Sequence, residues 1–376
     1  MSQDGNQTPN TLFEQEPNVG KKTKGRDRAD EKKVPPDEDY RIRNVSVMNV
    51  LRKICPRTLS SLSQMRGITA AATTKDLREM YLELEQIDPN LYRGEHLQRG
   101  RKSRDAVYGG QVIAQSLNAA ARTVDEEYLP HSFHSYFIKT GSVDHPVLYS
   151  IDRVRDGRSF CTRSVKASQN GVPIFIAQVS FQKKETDTIT HQCKFPSVPE
   201  PESLTDALTL MQQALQDPHK PDSLSKRIIA YKHNDLDETY EKIFESRPVD
   251  PKLYLYENIG TTEPPKAYWW VKAHGPVGDQ FALHRSLAAY MSDCFMIETA
   301  LMPHIAAGFV PSMVFSLDHC MYFHRPEFKV DEWMLYEICS RKAVGGRTYS
   351  DARIWTREKD LVLSVTQEGI VRKRRN

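Results

Sequence analysis

The sequence predicts an α+β fold made of two repeats of one unit, in each of which an antiparallel sheet wraps around a central helix. The first observation is an internal repeat, because residues 143–182 and residues 334–369 align at a shift of 187 to 189 positions. Each copy reads as three strands with alternating apolar and polar residues, separated by a Gly-Arg turn and a polar turn. The second observation is a stretch of helical periodicity ahead of each copy. Two copies of one antiparallel unit imply two similar domains packed as a pseudo-dimer.

Composition and charge limit the classes of protein to which this chain can belong. A chain of 376 residues with 39% hydrophobic side chains has room for two or three domains with buried cores. The formal net charge is +3, from 52 basic and 49 acidic residues, and a dedicated nucleic-acid binder usually carries a larger, clustered basic charge. The six cysteines form no Cys-x-x-Cys pair, which favours reduced thiols inside the cell. Since no run of about 18 apolar residues occurs, no membrane span is predicted.

The first 75 residues are predicted to form a disordered tail and a basic segment. Residues 1–47 are too poor in apolar side chains to offset the entropy of ordering. From Arg41 to Lys75 there are seven Lys or Arg residues and no acid. The stretch that starts at Met48 has the composition of a mitochondrial transit peptide, which requires translation to begin there. A plain basic linker is the alternative interpretation.

The rest of the chain is predicted to form two domains joined by a connection rich in proline and charge. The predicted boundaries are an N-terminal domain at residues 76–185, an interdomain linker at 186–239 and a C-terminal domain at 240–376. The central helices are expected at Gln111 to Thr123 and at Phe281 to Cys294, and the linker contains one helical patch near residues 204–215.

Two polar side chains of the C-terminal domain, Asp293 and Gln367, lie on faces formed by small or apolar residues. Asp293 ends a stripe of small residues on the second helix, although an acid near a helix end is more often simply solvated. Gln367 shares the face of its strand with leucine and valine side chains, and a buried amide needs hydrogen-bond partners. Ser316 lies in a strand predicted from Met313 to Phe323. No G-x-S-x-G turn surrounds Ser316, so a role as covalent nucleophile is not predicted.

Four neighbours of Ser316 have side chains of the types that bind metals. They are Asp318, His319, Cys320 and His324. Their spacing fits no zinc pattern. We therefore predict structural hydrogen bonding for them, and neither a metal nor another cofactor for the protein.

Seven motifs occur in order along residues 76–376. They are LELEQIDPNLYRG (82–94), YGGQVIAQSL (108–117), HSYFIKTG (134–141), RDGRSFCTRSVKA (155–167), HRSLAAYMSD (284–293), SLDHCMYFHRP (316–326) and VTQEGIVR (365–372). With these motifs the chain resembles the type II acyl-CoA thioesterases, a family that includes bacterial thioesterase II and the animal peroxisomal acyl-CoA thioesterase. The resemblance implies a double hotdog fold, which agrees with the repeat and the helix-wrapped sheets.

The resemblance also implies a reaction, the hydrolysis of fatty acyl-CoA by a water molecule without a covalent acyl-enzyme. The family's catalytic Asp, Ser or Thr, and Gln fall on Asp293, Ser316 and Gln367. Position 316 is Ser where bacterial members tend to have Thr, so the hydroxyl is kept. A carboxylate can accept the proton of an attacking water, while a hydroxyl and an amide fix its orientation. The family further implies a homo-oligomer of double-hotdog units.

Two other functions stay open at this point. A hotdog hydratase acting on acyl-CoA would need a His beside a carboxylate, and His131, His134 and His284 are available, though none lies in such a motif. A non-catalytic acyl-CoA-binding protein would be favoured by loss of one member of the catalytic group, and all three are present.

The chain is expected inside the cell, in the cytosol or the mitochondrion. Its last residues, Lys373 to Asn376, differ from the S-K-L type signal of peroxisomal relatives. The resemblance to a peroxisomal enzyme nevertheless leaves that compartment open.

Overall fold

A computed structural model of the chain describes residues 82–217, 224–235, 239–257 and 264–373. The tail and basic segment predicted at residues 1–75, including the alternative start at Met48, lie outside these ranges.

The described residues alternate between antiparallel strands and short helices. The strands are β1 (Glu85–Asp88), β2 (Leu91–Gly94), β3 (Arg99–Arg101), β4 (Arg104–Val107), β5 (Tyr128–Phe137), β6 (Val147–Asp156), β7 (Phe160–Gln169), β8 (Val172–Lys183), β9 (Phe244–Pro248), β10 (Lys266–Ala273), β11 (Pro311–Ser316), β12 (Asp318–Phe323), β13 (Met334–Val344), β14 (Arg347–Thr356) and β15 (Leu361–Lys373). The helices are α1 (Gly109–Ala121), α2 (Ala207–Gln216), α3 (Leu224–Asp235), α4 (Thr239–Ile243), α5 (Pro251–Tyr254), α6 (Phe281–Ser292) and α7 (Met296–Ala306). The two copies of the sequence repeat are β6 to β8 and β13 to β15.

Apart from the β3–β4 hairpin, these strands form one antiparallel sheet. Its order is β1-β2-β6-β7-β8-β5-β12-β15-β14-β13-β10-β9, and β11 also pairs with β15. The order is symmetric about its centre, because β6-β7-β8-β5 in one half is mirrored by β13-β14-β15-β12 in the other. The predicted α+β fold, a double hotdog with two repeated sheets, is confirmed.

Two turns of the repeat adopt the backbone conformation that their residues favour. Asn170 and Gly171, between β7 and β8, have φ angles of 49° and 76°, and Gly345 and Gly346, between β13 and β14, have 60° and 71°. Two successive residues with positive φ make a tight hairpin turn whose twist matches that of the flanking strands. Local residue types therefore set the register of both hairpins.

The two halves of the sheet join where β5 pairs with β12. Phe133 lies opposite Met321, and both side chains are fully buried. Ser135 Oγ donates a hydrogen bond of 2.7 Å to the backbone oxygen of His319. The two repeats therefore share one core at this seam.

The helices depart from the prediction in the second half. The first central helix, α1, packs across β5 to β8 as expected. The second, α6, ends at Ser292 and packs against α1, while the unpredicted α7 packs across β13 and β14. The strand predicted from Met313 to Phe323 is likewise divided into β11 and β12 at Leu317. The end of α6 lies beside Asp293, and the break at Leu317 lies beside Ser316.

Helices also occupy the segment between β8 and β9. The helical patch predicted near residues 204–215 is α2, and Asp206 caps it by accepting the backbone N–H of Thr209 at 2.8 Å. The helix α3 was not predicted from the sequence. None of the helices in the described part of the chain is long and apolar enough to cross a membrane.

Candidate active site

Asp293 lies where α6 ends and the chain turns into α7. Two residues further on, Phe295 has a left-handed φ of 65°, which is rare for an aromatic residue. Its ring stacks on Trp269 with 4.0 Å between centroids and 4° between planes. Such a backbone conformation costs on the order of 1–3 kcal/mol, so surrounding packing must hold it in place. This turn keeps the Asp293 side chain only 9% exposed.

Ser316 lies at the last position of β11, directly before the break in the strand. Leu317, in the break, donates its N–H to the backbone oxygen of Glu368 on β15 at 2.8 Å, and its own backbone oxygen accepts the N–H of Phe137 at 2.9 Å. The break is therefore tied both to β15 and to β5 in the first half. It places the Ser316 hydroxyl beside Gln367, the next side chain of the site.

Gln367 links the two other side chains. Its Nε2 donates to Asp293 Oδ1 at 2.7 Å and lies 3.1 Å from Ser316 Oγ and 3.2 Å from His319 Nδ1. An amide nitrogen has two hydrogens, so these three acceptors share them. The structure thus brings the three predicted residues together. Gln367 Oε1 is buried without a partner among the described residues, which costs about 1–3 kcal/mol, so stability alone does not explain this side chain.

His319, for which only structural hydrogen bonding was predicted, is a fourth member of this network. It is fully buried, and its Nε2 lies 2.8 Å from Ser292 Oγ. The Ser292 hydroxyl donates to the backbone oxygen of Ala289 at 2.8 Å, so it accepts the Nε2–H of His319. Nδ1 is then the acceptor that faces Gln367. Burial lowers the pKa of His319 to about 3, so the ring is neutral and makes no ion pair with Asp293, 4.0 Å away.

The Asp293 carboxyl has a strongly altered pKa. Burial raises its pKa to about 6, while hydrogen bonds from Gln367, the backbone N–H of Gly110 and the Ser316 hydroxyl act in the opposite direction. The group is therefore ionised at neutral pH, yet its pKa is close enough to 7 for it to accept and release a proton. That combination suits a general base.

The N-terminus of α1 faces this carboxylate from the first half. Gly110 donates its backbone N–H to Asp293, and the positive end of the helix dipole favours the negative charge. A side chain at Gly109 would place its Cβ 2.7 Å from Asp293 Oδ2, and one at Gly110 would lie 2.4 Å from the backbone oxygen of Tyr290. Both glycines are therefore required for this close approach.

A cavity of about 550 Å³ opens beside Asp293 and Ser316. Its walls come from both halves, with Val112, Phe137 and Phe175 from the first and Phe295 from the second. Helix α3 contributes Lys232, so this unpredicted element forms part of the wall. Gln367 lies behind Asp293 and Ser316 and is 2% exposed. The size and mixed lining fit a small-molecule pocket with a few polar groups.

The other candidate residues make structural contacts. His284 Nε2 lies 2.8 Å from the backbone oxygen of Gly278, and its Nδ1 accepts the N–H of Val330 at 3.1 Å. His131 Nε2 lies 2.8 Å from Ser180 Oγ, and the ring of His134 packs edge-on against Tyr322. Among the side chains near Ser316 whose types can bind metals, Asp318 accepts the N–H of Glu368, and His324 Nε2 lies 2.8 Å from Ser364 Oγ.

Comparison with known proteins identifies relatives of both halves. A family model described as "Acyl-CoA thioesterase" matches residues 240–370, and one described as "Acyl-CoA thioesterase N-terminal domain" matches residues 98–182. Human acyl-coenzyme A thioesterase 8 is 41% identical over 294 residues, which are 77% of this chain and 87% of that protein. Acyl-CoA thioesterase 2 of Haemophilus influenzae is 35% identical over 294 residues, 77% of this chain and 95% of that protein.

Solved structures that resemble this chain include a thioesterase of the same kind as these relatives. The crystal structure of acyl-CoA thioesterase II TesB2 from Mycobacterium marinum superposes with a TM-score of 0.63 at 34% identity, covering 79% of this chain and 98% of that one. A hot dog fold protein from Alicyclobacillus acidocaldarius, with a TM-score of 0.59 at 15% identity over 80% of this chain and 99% of that one, supports the fold alone. The chain therefore belongs to the acyl-CoA thioesterase family and is a thioester hydrolase.

Proposed function

We propose that this enzyme hydrolyses fatty acyl-CoA to free fatty acid and coenzyme A by attack of a water molecule that Asp293, Ser316 and Gln367 orient. The observation that carries the proposal is the Asp293 carboxylate. It is nearly buried, it has no cationic partner among the described residues, and it lines a cavity beside the Ser316 hydroxyl. The relatives named above are thioesterases of acyl-CoA, which supports the same substrate class.

In this mechanism Asp293 accepts a proton while the water oxygen bonds to the thioester carbonyl carbon. The carbonyl electrons move onto oxygen, where hydrogen-bond donors must stabilise the oxyanion that forms. The C–S bond then breaks as the carbonyl re-forms. The leaving sulfur takes the proton held by Asp293, which yields the fatty acid and the free thiol. Ser316 orients the water directly, and Gln367 acts through its hydrogen bonds to both side chains.

The experiment that tests this function measures free thiol released from palmitoyl-CoA. We expect steady release that depends on the concentration of enzyme. A hydratase would instead consume a 2-enoyl-CoA without releasing thiol, and a non-catalytic binder would bind palmitoyl-CoA without turnover. Either result would contradict the proposal.

The rate should depend on pH through Asp293. We expect kcat/KM to rise with pH and reach half its maximum at about pH 6, because only the carboxylate can accept the proton. Below that value the rate should fall about tenfold per pH unit, as for a single titrating group. His319 stays neutral over this range because its pKa is lowered to about 3. A midpoint near pH 4, as for a solvated carboxyl, would contradict the assignment of the buried Asp293 carboxylate as the general base.

His319 is proposed to position Gln367 by accepting one of its amide hydrogens at Nδ1. His319→Asn places a carbonyl oxygen near the position of Nδ1, whereas His319→Gln places one near Nε2. We therefore expect the Asn variant to keep a kcat within about tenfold of wild type and the Gln variant to lose about 100-fold. Circular dichroism should show both variants folded. Equal kcat values in two folded variants would remove this role from His319.

Three features stay predictions. The domain boundaries at 76–185, 186–239 and 240–376 can be tested by limited proteolysis. A homo-oligomer of double-hotdog units predicts a mass well above that of one chain in light scattering. An intracellular location in the cytosol or mitochondrion can be tested by imaging tagged chains that start at Met1 or at Met48.

A further inference from the structure

Arg104 and Lys139 are two basic side chains that line the cavity and have no ion-pair partner in the part of the chain that the structure describes. Arg104 begins strand β4, and Lys139 follows β5. Strand β4 is hydrogen-bonded to the segment just after Lys139, since Val107 donates its N–H to the backbone oxygen of Gly141 at 2.9 Å. The two side chains therefore belong to one wall of the cavity.

The other basic side chains of the cavity are neutralised. Lys232 on α3 is ion-paired with Glu298 on α7, and Arg101 lies 3.7 Å from Asp235. Arg104 and Lys139 are thus left as a pair of positive charges on the wall. An unmatched cationic pair on the wall of a cavity attracts an anion.

Arg104 contacts the strand that carries Ser316. Its guanidinium lies over the ring of Phe315, 5.2 Å from the centroid, and Phe315 directly precedes Ser316. Such a contact orients the planar guanidinium and leaves its N–H groups free to bind oxygen atoms. Arginine binds phosphate with paired hydrogen bonds, while lysine acts as a mobile point charge.

We propose that Arg104 and Lys139 bind the phosphate groups of the coenzyme A nucleotide, so that the substrate's anionic end lies on the wall formed by β4 and the end of β5. This inference rests on the proposed function, because it assigns a subsite for one part of the same substrate. The pantetheine arm then reaches from this wall to Asp293 and Ser316. The acyl group itself carries no charge, so its binding does not require these two residues.

The test compares two thioesters that differ only in the nucleotide, octanoyl-CoA and S-octanoyl-pantetheine. Arg104→Ala and Lys139→Ala should each raise KM for octanoyl-CoA about tenfold, and the double variant about 100-fold, with little change in kcat. KM for the pantetheine thioester should stay at the wild-type value in all variants. Arg99→Ala is the matched control, because Arg99 lies in the same hairpin but is ion-paired with Asp105 at 2.8 Å.

A binding measurement complements the kinetics. Calorimetric titration with adenosine 3′,5′-bisphosphate should show binding to wild type and to Arg99→Ala, and much weaker binding to the double variant. Equal increases in KM for both thioesters, or unchanged KM for octanoyl-CoA, would overturn the subsite. A wild-type enzyme that hydrolyses neither thioester would instead overturn the proposed function.

Discussion

Asp293→Asn is expected to abolish almost all turnover while leaving the protein folded. Asparagine has nearly the same shape as aspartate but cannot accept the proton of the attacking water. General-base assistance contributes about 10²–10⁴-fold, so kcat should fall by about that factor, with a smaller change in KM. Steady-state kinetics on palmitoyl-CoA check the result. A folded Asp293→Asn variant with wild-type turnover would remove Asp293 from the mechanism.

The same substitution should raise the stability of the fold at neutral pH. The carboxyl has a pKa of about 6 in the folded protein and an ordinary value of 3.8, so the folded state favours its protonated form. Below about pH 3.8 the group is protonated in both states and has no effect on stability. Its destabilising effect grows between pH 3.8 and 6 and is complete above pH 6. The difference corresponds to about 3 kcal/mol as an upper limit, because each pKa unit is worth about 1.4 kcal/mol.

Thermal unfolding across this pH range tests the stability gain. We expect Asp293→Asn to unfold at a higher temperature than wild type at pH 8 and at nearly the same temperature at pH 4. For turnover, Asp318→Asn is the matched control, since Asp318 is close by on β12 and accepts the N–H of Glu368. It should retain turnover, but it does not control for stability, because burial raises the pKa of Asp318 as well. A stability gain that is independent of pH would show that the buried charge of Asp293 is not its cause.

Gln367→Ala is expected to lower kcat about 100-fold or more while changing KM little. Gln367 lies behind Asp293 and Ser316 and holds both through its amide, so its loss disorders the groups that orient the water. Ser316→Ala should show a smaller effect of the same kind. Because these side chains act on one water, the double variant should lose less than the product of the two single losses.

The matched control for this substitution is Gln115→Ala. Gln115 is a buried amide of α1 whose Oε1 accepts the hydroxyl hydrogen of Tyr149 at 2.6 Å. Its removal should reduce stability but leave kcat unchanged. If Gln367→Ala raised KM and left kcat intact, Gln367 would belong to substrate binding and not to the orientation of water.

The residues that the sequence could predict are those whose signals are local or repeated. Strand periodicity and turn chemistry act over a few residues, and the repeat at residues 143–182 and 334–369 therefore predicted both three-stranded units. The motif resemblance pointed to Asp293, Ser316 and Gln367 together. The structure places them within one hydrogen-bonded cluster, and their catalytic role stays a prediction.

Other features required the tertiary structure, because they depend on contacts between distant parts of the chain. The turn between α6 and α7 contains Phe295, whose ring stacks on Trp269, and no local pattern marks a left-handed phenylalanine. The acceptor role of His319 Nδ1 follows from the contact of its Nε2 with Ser292, which the fold brings from the end of α6 to β12.

By itself, the sequence determined the repeated strands and the family, and the family motifs pointed to three polar side chains, because each leaves a pattern along the chain. Only the tertiary structure decided how that site is completed. Gly110, which donates its N–H to Asp293, is more than 180 residues away in sequence and approaches it because α1 packs against α6. The two halves meet through pairing of β5 with β12, and long-range pairing of this kind leaves no periodic signal in the chain.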